Sequence, residues 1–551
     1  MRIAIFLPLM VPILALNCAA AETPATAPAP APAPVSADAA AAGDSFKPEE
    51  KFSDGSVSVG GQRIDYQAVT GTLVVHPKGW DDVPQNADKD AKGTQPEASM
   101  SYVAYLKMGA RAAQRPITFL YNGGPGSSTV WLHMGAFGPR RVVTADAAHG
   151  AAAPYAIVNN DYSLLDASDL VFIDAPGTGF GRIAGKDRDK AFYGVDGDAH
   201  AFAAFITQFL GRHGRWNSPK YLFGESYGTT RTAVLVALLE TDSAYSVDVN
   251  GVILLSQCLM FDAGPDGPGR NGSPEDNPGV ELPYELELPT MAATAWYHHR
   301  LPGATRELAP LIAEVEDFAL GDYASALAAG ATLSAERRQA VAARLHDYTG
   351  LATEHILKAN LRINAGNFAQ YLLGDGRNVA RLDTRFTGPA LDPLSARAEY
   401  DASLSALAAP YTAAFNDYVR RDLQYGDGRR FKLFADDVRD WNTEHAAPNA
   451  APAVQGVSLN VLRDLAVAMK LNPRLKVMAN SGYYDLGTPF FQGVYEMRHL
   501  PIPPGLQDNI EYHFYDSGHM VYGHPESLQA LHASVARFIT LNAGTSVPAG
   551  H

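Results

Sequence analysis

The sequence predicts an α/β fold in which a mainly parallel sheet, covered by helices, is interrupted by a large helical insertion. Three observations lead there. Five short, strongly apolar runs at residues 117–121, 170–173, 221–223, 252–255 and 476–479 are what strands buried on both faces require. Helical patterns such as residues 199–210 lie between several of them, as parallel connections demand. From 262 to 455 the rhythm stops, and the chain reads helical for most of that length.

Taken in order, the chain begins with Met1 and Arg2, an apolar run over residues 3–16, and Ala19, Ala20 and Ala21. A basic start, an apolar stretch too short to span a bilayer and a small-residue site read as a secretory signal over 1–21, cut before Glu22. The mature chain is expected to be exported, periplasmic or secreted, without an integral membrane segment. Lipidation at Cys18 is the alternative, which Ala15, Leu16 and Asn17 fit poorly. Residues 22–47 are an Ala/Pro-rich linker, a semi-rigid tether that buries no core. The 551 residues contain two cysteines, Cys18 and Cys258, so an exported chain that has lost the first has no internal disulfide. A net charge of -15 with no basic cluster excludes nucleic acid as a partner.

The first part of the core spans 48–261. Alternating residues between 56 and 108, among them Ile64, Tyr66, Val103 and Tyr105, predict meandering strands at a sheet edge. The insertion, 262–455, opens with a Gly/Pro/Asp-rich loop. Leu311, Val315, Phe318 and Ala319, then Val341, Leu345 and Tyr348, then Tyr411, Phe415, Tyr418 and Val419 follow at helical spacing with no strand-like run among them. The second part of the core, 456–545, starts with a helix capped by Ser458 and ends with a helix opening at Pro525.

The chemistry centres on Gly224, Glu225, Ser226, Tyr227 and Gly228, placed between a β-prone run and an apolar helical pattern. Strand, sharp turn and helix make a nucleophile elbow, with Ser226 as candidate nucleophile and small residues flanking a strained turn. Asn122, Gly123, Gly124, Pro125, Gly126, Ser127 and Ser128 follow the first buried run, and their unshielded amides suit an oxyanion. The donors expected are the backbone amides of Gly124 and Tyr227; a phosphate-binding loop is disfavoured because no Lys follows. The acid and base should follow the serine on loops after later strands, which points to Asp485 and His519. Asp508, Asp516, His513 and His524 are the competitors. His298 and His299 are adjacent and point apart, so no metal site is expected there. Arg231 either fixes a carboxylate or pairs on the helix surface, the second being favoured.

Asn-Gly-Gly-Pro-Gly-x-Ser at 122, Gly-Glu-Ser-Tyr-Gly at 224, Asp485 after Ser481 and Gly482, and Gly518-His519-Met520 together resemble the serine carboxypeptidase family. The resemblance covers about residues 115–261 and 458–523. It implies an α/β-hydrolase fold, exopeptidase action on the free C-terminus of peptide substrates, no metal and no cofactor. It also implies a triad of Ser226, Asp485 and His519, a substrate carboxylate held by Asn122 and Glu225, and Met520 lining the leaving-residue pocket. A carboxyl facing a carboxylate must share a proton, so a preference for acidic pH is expected. Two departures stand out: Ala136 replaces the family's Glu before Phe137, Gly138 and Pro139, and Ser127 replaces its cysteine. An esterase or acyltransferase on the same scaffold, and an inactive scaffold that binds partners through the cap, are the rival readings.

Overall fold

Along the buried strands, neighbouring side chains enter opposite cores. Phe119 and Tyr121 belong to one apolar cluster and Leu120 to the other; Val252 and Leu254 face one side, Ile253 and Leu255 the second. Burial on both faces is why these runs carry almost no polar residue. The computed structural model describes residues 46–80, 95–265, 278–304, 306–435, 438, 440–450 and 458–544. The expected signal and most of the linker lie outside them. Asp44–His551 form one unit in which core and insertion pack together.

The main sheet contains β1 (Glu49–Val59), β2 (Gln62–Val75), β3 (Glu97–Lys107), β4 (Ile117–Tyr121), β5 (Asp169–Ile173), β6 (Lys220–Glu225), β7 (Gly251–Leu255), β8 (Lys476–Gly482) and β9 (Ile510–Tyr515). Its spatial order is β1-β2-β3-β5-β4-β6-β7-β8-β9, with a short strand, Arg182–Ala184, beside β3. The first three strands run antiparallel and form the expected meander, turning at Gly60 and Gly61 with positive φ at both, as a two-residue hairpin needs. From β5 to β9 every pairing is parallel. This is the α/β-hydrolase fold, and Ser226, Asp485 and His519 follow the carboxyl ends of β6, β8 and β9.

Helices α1 (Val195–Arg212) and α2 (Tyr227–Thr241) cover one face, α2 following β6 directly. The insertion contributes α3 (Leu282–Tyr297), α4 (Leu308–Phe318), α5 (Ala335–Thr349) and α6 (Ala402–Arg421); α7 (Leu462–Leu471), α8 (Phe490–Arg498) and α9 (Pro525–Asn542) complete the core. Leu288, Val315, Leu345 and Tyr348 of α3 to α5 pack into an apolar cluster of their own, as a cap would. Helix α6 behaves differently. Its Leu407, Tyr411, Phe415 and Tyr418 join α9 in the core on the second sheet face, so the insertion is part cap and part core.

Three local expectations need correction. The insertion, expected to contain no strand-like run, has an antiparallel pair at residues 377–379 and 387–389, runs too short to carry an alternating apolar pattern. Ser458 does not cap α7, whose preceding residue Val461 makes no side-chain cap, and the buried Ser458 hydroxyl has no hydrogen-bond partner among the described residues. Arg231 is not a surface residue. It is 1% exposed and holds Asp198 of α1 through Nε at 2.6 Å and Nη2 at 3.2 Å, because α1 and α2 pack face to face at this point. Among the described residues no helix is long and apolar enough to cross a membrane.

Candidate active site

Ser226 sits between β6 and α2 with φ 60° and ψ -131°, a conformation that costs a non-glycine residue of order 1–3 kcal/mol. Its flanking glycines are required by contact. A Cβ at Gly224 would overlap the Gly228 carbonyl and Thr232 Oγ1, and one at Gly228 would press to 3.0 Å from the Tyr121 carbonyl of β4. Ser226 N donates to Leu255 O at 2.9 Å, so the end of β7 moors the turn.

The glycine loop lies directly on this elbow. A Cβ at Gly123 would collide with the amide nitrogens of Tyr227 and Gly228, and Gly124 has φ +107°. Tyr227 opens α2, where first-turn amides have no intrahelical acceptor and face the loop. Arg231 Nη1 donates to Asn122 O at 2.7 Å, so the buried Arg231–Asp198 pair fixes the loop to both helices. A strap from the insertion's end presses from outside: Ala435 N donates to Gly126 O, Ser128 N to Leu433 O, and Trp441 Nε1 to the Tyr227 hydroxyl at 3.1 Å.

Asp485 and His519 meet on the loops after β8 and β9. His519 Nδ1 is 2.7 Å from Asp485 Oδ2, and both side chains are buried. Asp485 is itself fully oriented: Oδ1 accepts from the amides of Gly487 and Thr488, and the Thr488 hydroxyl donates to Oδ2 at 2.6 Å. Burial disfavours the His519 imidazolium, but the Asp485 carboxylate and the nearby Glu225 outweigh it and hold its pKa above the ordinary value, with Arg381 acting in the opposite sense. The bonds of His519 run to Asp485, Thr488, Leu382 and Ser256; among the described residues none joins it to Ser226. Both turns are nonetheless moored to the end of β7, since Ser226 N donates to Leu255 O and the hydroxyl of the next residue, Ser256, donates to His519 O at 2.7 Å. Such nucleophile–base contacts commonly close only when substrate is bound.

The competitors lie elsewhere. His513 pairs with Glu511 at 3.3 Å, and His524 with Ser527 at 2.9 Å. Asp508 falls in the short turn Pro504–Asn509, and neither it nor Asp516 bonds His519 among the described residues.

Glu225 is 2% exposed, and burial pushes its pKa up to about 7 against the pull of His519, Tyr522 and Asn122. The Tyr522 hydroxyl lies 3.1 Å and 2.8 Å from its two oxygens. Asn122 Oδ1 accepts from Leu132 N at 3.2 Å, tying its amide to the turn that contains Ala136. In that turn a Cβ on Gly135 would strike both the Tyr411 hydroxyl and the Tyr522 ring, so two tyrosines pack beside Ala136. Met520 is buried in the sheet-side cluster. Sequence reasoning missed Thr488, Tyr522 and Tyr411. Thr488, three residues past Asp485, carried the spacing of a side-chain turn and was findable; the tyrosines carried no local signal.

The class that the fold and the family comparison support is a serine hydrolase of the α/β-hydrolase fold. More particularly, the profile of the serine carboxypeptidase family matches residues 91–256, which include the glycine loop and Ser226 and stop short of Asp485 and His519. No curated protein matches the chain. Among solved structures, proline iminopeptidase from Mycobacterium smegmatis is similar at 12% identity and TM-score 0.32, over 89% of this chain and 99% of its own. A peroxisomal alpha-beta-hydrolase from Saccharomyces cerevisiae stands at 10% identity and TM-score 0.34, over 88% and 93%. A carboxyl esterase from Bacillus coagulans stands at 11% and 0.35, over 86% and 98%.

Proposed function

We propose that this protein is an exported serine carboxypeptidase. The observation that carries the reading is the 2.7 Å Asp485–His519 contact, whose histidine loop is moored to Ser256 next to the Leu255 carbonyl that holds the strained Ser226, with the glycine loop packed against the Tyr227 amide. In this reading His519 Nε2 takes the Ser226 hydroxyl proton as Oγ attacks the last peptide carbonyl, and the amides of Gly124 and Tyr227 hold the oxyanion. Collapse breaks the C–N bond, with the proton passing from His519 to the departing amino acid. Water, deprotonated by the same histidine, then hydrolyses the acyl-enzyme. Asp485 keeps the imidazole in the tautomer that presents Nε2. Asn122 and Glu225 receive the substrate carboxylate, Glu225 in its protonated form, and Met520 borders the leaving residue.

Ala136 supports a second reading, an esterase or acyltransferase, because one partner for a terminal carboxylate is missing. An N-blocked dipeptide separates the two. Release of the C-terminal residue, abolished when that terminus is amidated, is expected of the peptidase; cleavage of simple esters with no release from the dipeptide would overturn it. Export is supported by the apolar run after Arg2, and a mature N-terminus at Glu22 is its expected mark.

A further inference from the structure

The loops carrying Asp485 and His519 are not held by the hydrolase core alone. Residues 381–385, deep within the insertion and between its two short strands, run between them. Leu486 N donates to Arg381 O at 2.9 Å and Thr384 N to Tyr484 O at 2.9 Å, so the segment grips the acid loop on either side of Asp485. His519 N donates to Leu382 O at 2.6 Å, and a Cβ on Gly518 would strike Asp383. The same five residues therefore touch the acid loop twice and the base loop at the histidine itself.

Arg385 locks this brace. Its guanidinium is 2% exposed, and Nε and Nη2 donate to Asp383 Oδ1 at 3.0 Å and Oδ2 at 2.6 Å. Nη2 also reaches Ser517 Oγ at 3.3 Å, two residues before His519, and Nη1 reaches Asp146 Oδ1 at 3.0 Å on the loop after the glycine-loop turn. One planar cation thus ties the insertion, the base loop and the loop after residues 140–142 together. A forked, permanently charged donor does this where lysine could not. Thr294 of α3 bonds Thr384 hydroxyl to hydroxyl at 2.7 Å, which carries the brace into the cap.

We propose that Arg385, with Asp383, is a positioning residue that sets the Asp485–His519 geometry, making the insertion part of the catalytic machinery and not only a lid. The proposal rests on the triad reading above. A displacement of about 1 Å at reacting groups costs roughly 10²-fold in rate, so losing the brace should slow chemistry without touching substrate contacts.

The test is the rate at which a fluorophosphonate labels Ser226, measured against pH, together with kcat and KM on a peptide. Wild-type labelling reports the triad reading itself. In the paired variant Arg385→Met/Asp383→Leu, which leaves no buried charge unpaired, labelling about 100-fold slower with a displaced pH midpoint, kcat reduced and KM within twofold is expected. Arg385→Lys should recover little of the loss. A folded paired variant that labels at the wild-type rate and midpoint overturns the brace while leaving the triad intact. Should that variant not fold, Ser517→Ala removes only the hydroxyl that meets the guanidinium; labelling about fivefold slower supports the brace, and an unchanged rate overturns it. No labelling of the wild type at any pH fails the triad reading instead.

Discussion

The two halves of the site are built in different ways. The half proposed to hold the nucleophile is built mainly by the core, with a strap of the insertion pressed on it: β6, α2 and the glycine loop approach so closely that a single methyl group at Gly123 or Gly224 would collide with backbone. The proposed acid–base half sits on the loops after β8 and β9, and residues 381–385 of the insertion hydrogen-bond to both of them. Close backbone approach does more to fix the first half, and hydrogen bonds from the insertion do more to fix the second. Substitutions should therefore fail abruptly in the first half and gradually in the second.

The largest effect is expected from Ser226→Ala, which should lower peptide hydrolysis by about 10⁴-fold or more while the protein stays folded, since the change also relieves little packing. Steady-state kinetics with a thermal melt checks both. Gly123→Ala sharpens the comparison. Its Cβ would displace the Tyr227 amide, and loss of one oxyanion donor is worth about 10²–10³ in kcat, with KM nearly unchanged.

Glu225 probes where the two halves meet. Its pKa is raised to about 7, so the protonated form, proposed to accept a substrate carboxylate, is present below that pH and lost above it. His519, raised as well, must be deprotonated to act as base and works better as pH rises. Cleavage at a free C-terminus should thus fall above about pH 7, while hydrolysis of a neutral ester keeps climbing. Glu225→Gln should remove the falling limb for the peptide and leave the ester profile in place. A peptide rate that climbs past neutrality in the wild type contradicts the role given to Glu225.

The smallest effect concerns the strap over the glycine loop. His445 is buried between Asp196 of α1, at 2.6 Å, and Asp464 of α7, at 3.0 Å; burial opposes its charge, yet the two carboxylates hold its pKa up to about 9 from 6.5. Because the folded value is raised, the stabilisation is complete below about pH 6.5 and is lost as pH rises through about 9. His445→Gln should melt a few degrees below wild type at pH 6, with the gap closing by pH 10. An equal gap at both values contradicts the ionic clasp.

Legibility in the sequence follows the same division. The parallel strands were readable because burial on both faces leaves an uninterrupted apolar run, and the elbow and glycine loop because close approach admits only glycine at set spacings. Asp485 and His519 were selected by chain order and loop position, and the fold brings the two side chains to 2.7 Å. What escaped depends on contacts across hundreds of residues: Arg385 against Ser517, Tyr522 against Glu225, Trp441 against Tyr227. Arg231 was misjudged for a related reason. A lone arginine on an apolar helix looks like a surface residue until Asp198 of another helix is known to face it. Helix α6 shows the same limit, since its periodicity gives a buried stripe without saying which core receives it.

Mass spectrometry of the protein after treatment with a fluorophosphonate tests the central claim most directly. The account predicts a single adduct on the peptide containing Ser226, forming faster as pH rises through neutrality and abolished by His519→Ala. A folded protein that takes no adduct at Ser226 at any pH, or takes it equally well without His519, contradicts it.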